Sequence, residues 1–176
     1  MQPEPDLTDG VVRLRTWSDA DLDCIRATVE DHRIRRGTTV PAVVTPASGR
    51  AFFERQHDRL RLGKGMSLAV ADGATDEALG CAVLMLRERP GVAGIGYWIL
   101  PRARRRGLAT RSVRLMSEWA LCKTGLERVE AWVEPANVAS RRVLAAVGFR
   151  EVALLPSSLS FEDGPADALL LAKETG

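Results

Sequence analysis

The chain has 176 residues, of which 45% are hydrophobic and 27% are charged, and its formal net charge at pH 7 is +2. This length fits one domain with a substantial core, and this composition excludes a disordered chain. The small net charge excludes a protein-wide basic field of the kind that attracts nucleic acid. No apolar run approaches the roughly 20 residues that a membrane-spanning helix needs, so we expect no membrane partner.

The N-terminal segment 1–10, "MQPEPDLTDG", carries acids and prolines where a secretory signal has a basic start and an apolar run. We therefore expect a cytoplasmic protein, with a flexible segment at 1–10 and a single domain over 1–176. The three widely spaced cysteines, Cys24, Cys81 and Cys122, predict free thiols, with Cys122 in the core. Neither histidine has the spacing of a zinc site, so we expect no metal.

The first predicted elements are a strand and a helix. Residues 11–17, "VVRLRTW", alternate in the manner of a half-buried strand. Ser18 is the predicted N-cap of a helix that reaches Val29, with Asp21 in the capping-box position. The segment 33–44, "RIRRGTTVPAVV", is rich in turn formers and predicts a loop.

A second helix and three strands follow. Thr45 caps this helix, Pro46 occupies its first position, and Gly63 ends it. The next three apolar runs are separated by short turns with glycine or acidic residues, which are typical of antiparallel hairpins. These predicted strands cover residues 66–71, 79–86 and 93–100.

The last part of the chain predicts two helices and three strands. Apolar residues recur at helical spacing from Leu108 onwards, and "RVEAWV" (128–133) alternates as a strand. Asn137 caps a further helix. Two more strands, "FREVALL" and "ADALLLAK", flank the polar stretch 156–165. The order β-α-α-β-β-β-α-β-α-β-β predicts one α+β domain.

The loop 101–107, "PRARRRG", has the features of an anion-binding site. It precedes a predicted helix, whose first amides have no partner within the helix and whose dipole makes that end positive. Gly107 lets a phosphate approach the backbone without a side chain in the way. Arg104, Arg105 and Arg106 add attraction or direct contacts to phosphate oxygens.

Other interpretations of this loop compete with the anion site. An arginine run is most often solvated surface. RNA binding by Arg102–Arg114 is a second alternative, although the chain is nearly neutral and no aromatic residues stand among the basic ones. The sequence contains neither the G-x-x-x-x-G-K-[ST] loop nor the G-x-G-x-x-G fingerprint of nucleotide-binding folds.

Three segments, in order, resemble the GNAT superfamily of acetyl-CoA-dependent N-acetyltransferases. Arg104–Ala109 is similar to the family's (Q/R)-x-x-G-x-(G/A) pyrophosphate loop, and "GIGYWILP" (94–101) is similar to its splayed strand. "VEPANVASRRVLAAVGFRE" (133–151) resembles the N-x-x-S…GF segment of the Rim-type branch, the acetyltransferases of ribosomal-protein N-termini and their relatives. The resemblance implies a mixed, mostly antiparallel sheet of about seven strands with about four flanking helices, and a splayed strand pair around the acetyl-CoA site.

The same resemblance implies direct transfer of an acetyl group from acetyl-CoA to a primary amine, on a small molecule or a protein N-terminus, without an acyl-enzyme. A backbone amide of Ile99 or Leu100 would polarise the thioester carbonyl. A homodimer is common in the family, and no nucleic acid partner is expected. The residues that the resemblance places against the coenzyme are Trp98, Ile99, Leu100, Arg104, Arg105, Arg106, Gly107, Leu108, Ala109, Thr110, Asn137 and Ser140.

The catalytic residues are less directly implied. Many relatives place a tyrosine seven residues after the position of Asn137 to protonate the thiolate, but Leu144 stands there. Ser140 is therefore the predicted donor, as the Rim-type branch suggests, with a hydrogen bond at the helix start as its alternative role. Glu88 and Glu130 are the candidate bases, against the alternatives of solvated carboxylates and of a water chain. Leu144 also leaves open a non-catalytic acyl-CoA-binding or sensor module.

Overall fold

Within residues 6–176, which the computed structural model of the protein describes, the chain forms five α-helices and eight strands. The helices are α1 Leu22–Ala27, α2 His32–Gly37, α3 Pro46–Arg61, α4 Leu108–Lys123 and α5 Val138–Ala146. The strands are β1 Leu7–Thr8, β2 Val12–Arg15, β3 Gly65–Asp72, β4 Ala78–Leu86, β5 Val92–Ile99, β6 Arg128–Val133, β7 Arg150–Phe161 and β8 Gly164–Glu174. They form one sheet in the order β1-β2-β3-β4-β5-β6-β8-β7, which confirms the predicted α+β class.

Helices cover both faces of this sheet. Successive side chains of its strands point to opposite faces, so each face has its own apolar surface. On one face, Val113 and Met116 of α4 and Leu144 of α5 are buried in a single apolar cluster. On the other face, a second cluster holds Ile25 of α1 and Phe52 of α3, together with the other members Trp17, Cys24, Ile34, Phe53, Ala69, Ala78, Cys81 and Leu100. The central strands are therefore shielded from water on both sides.

The pairing of β5 with β6 is the one parallel pairing in the sheet that the structure describes, and it is short. It joins three residue pairs, Val92 with Arg128, Ala93 with Val129 and Gly94 with Glu130. Beyond them β5 stays with β4 as far as Ile99, whereas β6 stays with β8 as far as Val133. The two strands therefore part and leave an opening, as the predicted splayed pair requires.

The segment 33–44 does not form a loop throughout, so this part of the sequence prediction is wrong. His32–Gly37 fold as α2, because the Asp31 side chain accepts a hydrogen bond from the Ile34 amide at 3.0 Å and caps the helix. Ile34 is buried in the second apolar cluster. Arg36 pairs with Glu134 and Asp163, and thus ties α2 to distant parts of the chain.

The polar stretch 156–165, which the sequence analysis placed between two strands, is itself mostly strand. The strand β7 continues through it to Phe161, where a two-residue turn leads into β8. Backbone pairing of Leu159 with Ala166 holds this extension despite its polar side chains. A register shift between Leu155 and Leu159 accommodates the irregular part of the strand.

The cysteines follow the prediction only in part. Cys24 and Cys81 are buried free thiols, as predicted. Cys122 is exposed rather than in the core, because the neighbouring Ala120 and Leu121 take the inward positions of α4. No group of three or more histidine, cysteine or acidic side chains within residues 6–176 is arranged to hold a metal ion.

Of the segment 1–10, residues 1–5 lie outside the described residues, and Leu7–Thr8 form β1, which pairs with β2. No helix among the described residues is both long and apolar enough to cross a bilayer.

A buried ion pair joins β2 to the start of α1. Both guanidinium NH groups of Arg15 donate to the Asp21 carboxylate at 2.9 Å, and Asp21 also accepts from the Ser18 amide at 2.9 Å. Asp21 is 4% exposed, so its charge depends on these partners rather than on water. The Nε of Arg15 reaches Asp76 in the β3–β4 turn, which completes a link between three segments.

We expect Asp21→Ala to lower the free energy of unfolding by about 3 kcal/mol, since it leaves a half-buried guanidinium without its main partner. Denaturant unfolding measures this change. Asp23→Ala is the matched control, because Asp23 pairs with Arg26 on the surface, where its side chain is 90% exposed, and its loss should leave stability essentially unchanged. Equal effects of the two substitutions would contradict the assigned role of Asp21.

Candidate active site

Two hydroxyl groups meet beside the opening between β5 and β6. Tyr97 comes from the parted end of β5 and Ser140 from the first turn of α5, and the Tyr97 Oη to Ser140 Oγ distance is 2.6 Å. Asn137 is the N-cap of α5, as predicted, and its side chain accepts a hydrogen bond from the Ser140 amide at 3.1 Å. The cap thereby holds Ser140 in the first turn of α5, with its side chain towards β5.

The backbone of β5 distinguishes the two predicted amide donors. The Leu100 amide donates to the Leu79 carbonyl at 2.9 Å, so it belongs to the ladder with β4. In an antiparallel ladder successive residues direct their backbone groups to opposite sides. The Ile99 amide therefore points into the opening, and of the two predicted donors only Ile99 has the orientation to polarise a carbonyl there. The Ile99 carbonyl accepts from Arg104 Nε at 2.9 Å.

Trp98, the third predicted residue of this strand, lies on the other face of the sheet. It packs against the second apolar cluster, with its ring centroid 6.3 Å from that of Trp17. Its side chain is thus on the opposite face from Tyr97 and Ser140.

The start of α4 forms a cradle of backbone amides. Gly107 is its N-cap, with φ 75° and ψ 4°, and the first intrahelical bond runs from Arg111 to the Gly107 carbonyl. The amides of Leu108, Ala109 and Thr110 therefore have no carbonyl partner within the helix. A Cβ built on Gly107 would meet no heavy atom of the described residues within 4 Å, so open space lies beside these amides. Amides, space and helix dipole together fit a pyrophosphate.

The arginines around the cradle are mostly engaged by acidic side chains. Arg105 makes no ion pair with any residue of 6–176, and its φ of 63° turns the chain sharply ahead of Gly107. Its neighbours form ion pairs with carboxylates from distant segments, namely Arg102 with Glu77 (2.8 Å), Arg104 with Asp31 (2.6 Å), Arg106 with Asp72 (3.1 Å) and Arg111 with Asp9 (2.6 Å). Of the three arginines predicted to contact phosphate, Arg105 alone has no acidic partner among residues 6–176.

Arg104 links two elements of the fold. It connects the Ile99 carbonyl to Asp31, the N-cap of α2. Burial disfavours the charged form of Asp31, but the Ile34 amide and Arg104 together hold the pKa of this carboxyl below its usual range. The carboxylate therefore stays ionised. Its ion pair with Arg104 joins the loop 101–107 to α2, on the other face of the sheet.

Neither predicted base lies near Ser140. Glu88 is exposed in the turn between β4 and β5. That turn precedes Val92, which is about 16 Å along β5 from Tyr97 at the usual rise per residue. Because β4 and β5 are antiparallel, the end of β4 lies beside the start of β5. The opening lies at the other end of β5.

Glu130 is closer to the opening but is turned away from the hydroxyl pair. It stands opposite Gly94, where β5 and β6 are still joined, and accepts a hydrogen bond from Arg128 Nε at 2.8 Å. Its neighbours Val129 and Ala131 are buried in the cluster with α4 and α5, so Glu130 points to the other face.

No cysteine is arranged as an acyl acceptor within the described residues. Burial raises the pKa of Cys81 to about 11, and burial likewise raises the pKa of Cys24, so both thiols stay protonated. The exposed Cys122 lies near the C-terminal end of α4, at the opposite end of the helix from the cradle.

The sequence analysis assigned no role to Tyr97, and its contact with Ser140 was not predicted. The available signal was that Tyr97 is the single tyrosine of the sequence and stands within the strand that the resemblance marks as splayed.

Comparison with known proteins agrees with this geometry. The family model described as the Acetyltransferase (GNAT) domain matches residues 12–150. The uncharacterized N-acetyltransferase p20 of Bacillus licheniformis is 24% identical over 143 residues, which are 81% of this chain and 80% of that protein.

Solved structures share the fold over nearly the whole chain. RimJ of Mycobacterium smegmatis, solved in complex with CoA-disulfide, has a TM-score of 0.84 and 27% identity, covering 97% of this chain and 85% of that one. The ribosomal-protein-S5-alanine acetyltransferase of Vibrio fischeri has a TM-score of 0.81 and 18% identity, covering 97% of each chain. The predicted fold is thereby confirmed, and the chain belongs to the GNAT acetyltransferase family.

Proposed function

We propose that this protein transfers the acetyl group of acetyl-CoA to a primary amine, on a protein N-terminus or a small molecule, by direct attack in a ternary complex. The observation that carries this proposal is the parting of β5 from β6 between an amide cradle and a hydroxyl pair. A thioester arm needs such an opening, with an anion site at one end and hydrogen-bond donors at the other.

The cradle at the start of α4 would hold the pyrophosphate through the amides of Leu108, Ala109 and Thr110. The Ile99 amide would donate to the acetyl oxygen, where negative charge develops as the amine attacks. Ser140 would face the sulfur of the leaving thiolate. These donors come from backbone or from capped helix positions, so they need little reorganisation when the donor binds.

The amine must lose a proton during the reaction, and the geometry favours water as its acceptor. Glu88 lies at the far end of β5, and Glu130 is paired with Arg128 on the other face of the sheet. The proposal therefore assigns neither carboxylate to the base. A neutral amine entering from solvent can pass its proton through water to bulk.

Thiol release from acetyl-CoA tests the proposal directly. The probes are peptides with a free N-terminal alanine or serine, in view of the alanine acetyltransferase with the same fold, and a polyamine as a small-molecule amine. Release with at least one probe, and an acetylated product in the mass spectrum, supports the proposal. Tight binding of acetyl-CoA without release for any amine would support an acyl-CoA-binding module instead. Leu144, buried where many relatives have tyrosine, favours that second candidate.

Gly107→Ala should weaken coenzyme A binding at least tenfold, because its Cβ enters the space beside the cradle amides. The left-handed φ also costs about 1–2 kcal/mol of stability. Gly125→Ala is a matched control at the other end of α4, with φ 76° and likewise no described heavy atom within 4 Å of the added Cβ. Both variants should lose similar stability in denaturant unfolding, whereas calorimetry should show lost affinity for Gly107→Ala alone. Similar affinities would place the cradle elsewhere.

Arg105→Ala should weaken coenzyme A binding by about three- to tenfold, with a smaller deficit at high salt, because it removes an unpaired charge near the phosphates. Its melting temperature should not change, since alanine meets the same backbone strain at this position. Arg104→Ala should instead lower the melting temperature, because it breaks the link to Asp31 and Ile99. The opposite assignment of the two effects would show that Arg104 is the phosphate ligand.

A further inference from the structure

A contact between the side-chain hydroxyls of Tyr97 and Ser140 links β5 to α5. The two residues are 43 positions apart, and Tyr97 Oη lies 2.6 Å from Ser140 Oγ and 3.3 Å from the Ser140 carbonyl oxygen. The tyrosine ring is partly buried against the cluster that holds α4 and α5. The ring packing thus fixes where the phenolic oxygen lies.

Ser140 differs in this respect from Ser112 in α4 and from Thr124, the C-cap of α4. Ser112 donates to the Leu108 carbonyl at 2.7 Å and Thr124 to the Ala120 carbonyl at 2.6 Å, so both hydrogens are used within the preceding helical turn. The Ser140 hydroxyl instead has Tyr97 as its partner. Its orientation is therefore set by another element of the fold rather than by its own helix.

Either hydroxyl can donate in this contact, and the chemistry of the two groups favours Tyr97 as the donor. A phenol is a stronger donor than an aliphatic alcohol. Burial raises the pKa of Tyr97 to about 12, although the Ser140 hydrogen bond acts in the opposite direction. Tyr97 therefore stays protonated at neutral pH and has a hydrogen to donate. When Ser140 accepts it, the Ser140 hydrogen is free to point into the opening.

On the basis of the proposed function, we propose that Tyr97 is a positioning residue: it donates to Ser140 Oγ and thereby directs the Ser140 hydrogen to the sulfur of the leaving coenzyme. In the transfer, a bond forms between the amine nitrogen and the acetyl carbon, and the carbon–sulfur bond breaks with its electron pair on sulfur. Ser140 gives that sulfur a hydrogen bond and then a proton. The proton lost by the amine restores Ser140 through solvent, while Tyr97 keeps its own.

The two α5 positions that the sequence analysis singled out beside Ser140 are engaged elsewhere or lack a donor. The Asn137 oxygen accepts from the Ser140 amide, which holds this side chain at the helix start. Leu144, one turn beyond Ser140, is fully buried and carries no donor. A hydroxyl pair, one residue on the strand and one on the helix, thus stands where many relatives have a single tyrosine on the helix.

The first test is the pKa of the coenzyme A thiol when it is bound to the protein. It is obtained from the ultraviolet absorbance of the thiolate, as a difference titration against the complex with desulfo-coenzyme A. A hydrogen bond from Ser140 stabilises the thiolate, so Tyr97→Phe and Ser140→Ala should each raise this pKa by about one unit. A purely structural role of Tyr97 would not move it.

The second test is a double-mutant cycle on the rate of thiol release with the N-terminal alanine peptide. Tyr97→Phe keeps the ring and should lower kcat about tenfold, with less than about a threefold change in the dissociation constant of coenzyme A. Because Tyr97 acts through Ser140, adding Tyr97→Phe to Ser140→Ala should have no further effect on kcat. Independent, multiplicative losses would overturn the proposal, as would an unchanged kcat and an unchanged thiol pKa in Tyr97→Phe.

Thr124→Val is the matched control, since it removes one hydroxyl hydrogen bond on α4 away from the opening. It should leave kcat and the thiol pKa unchanged, and a change as large as that of Tyr97→Phe would assign the effect to general stability and overturn the proposal. The two tests also separate the hypotheses. A wild type that releases no thiol contradicts the proposed function, whereas the titration of bound coenzyme A still decides whether Tyr97 orients Ser140.

Discussion

The site depends on the short parallel contact between β5 and β6. Two strands that stayed paired would hydrogen-bond the backbone groups that face each other between them. Here the pairing of β5 with β6 ends after Gly94 and Glu130, so the C-terminal half of β5 is paired with β4 on one side and open on the other. The open side carries the Ile99 amide, and the Ile99 carbonyl beside it is satisfied by Arg104 rather than by a strand. Burial of unpaired backbone is costly, so the arginine also helps to keep the opening in place.

The charges around the coenzyme loop are arranged for structure more than for attraction. Four arginines near the start of α4 are matched by four carboxylates from the first 80 residues. This matching agrees with the small net charge of the chain, +2. In the proposed function, the backbone amides and the helix dipole would therefore be the main anion-binding groups. The donors of such a site are held in place by the helix backbone and are accessible to a phosphate that binds against them. The ion pair of Arg104 with Asp31 also makes the position of the loop 101–107 depend on α2.

In the proposed mechanism, the proton at the opening comes from hydroxyl groups rather than from carboxylates or thiols. A thiolate with a solution pKa of about 8.5 is a moderate leaving group, so it needs a well-placed hydrogen bond more than a strong acid. In this mechanism, positioning of the reactants would supply most of the rate, and a rigid strand–helix contact is suited to it. The packing of the Tyr97 ring against the core and the Asn137 cap give that contact its rigidity.

The sequence by itself determined those features that arise within one element. The alternation in "GIGYWIL", the capping residues Thr45 and Asn137, and Gly107 ahead of a helical pattern are local signals, and the structure has the corresponding elements. It did not determine which elements meet. From the sequence alone, the turn that carries Glu88 could lie beside the opening. The antiparallel pairing of β4 and β5 places this turn at the other end of β5. The ion pairs of the arginines and the contact of Tyr97 with Ser140 join residues tens of positions apart. Such contacts depend on how strands pair and helices pack, because no local propensity records the distance between side chains on different elements.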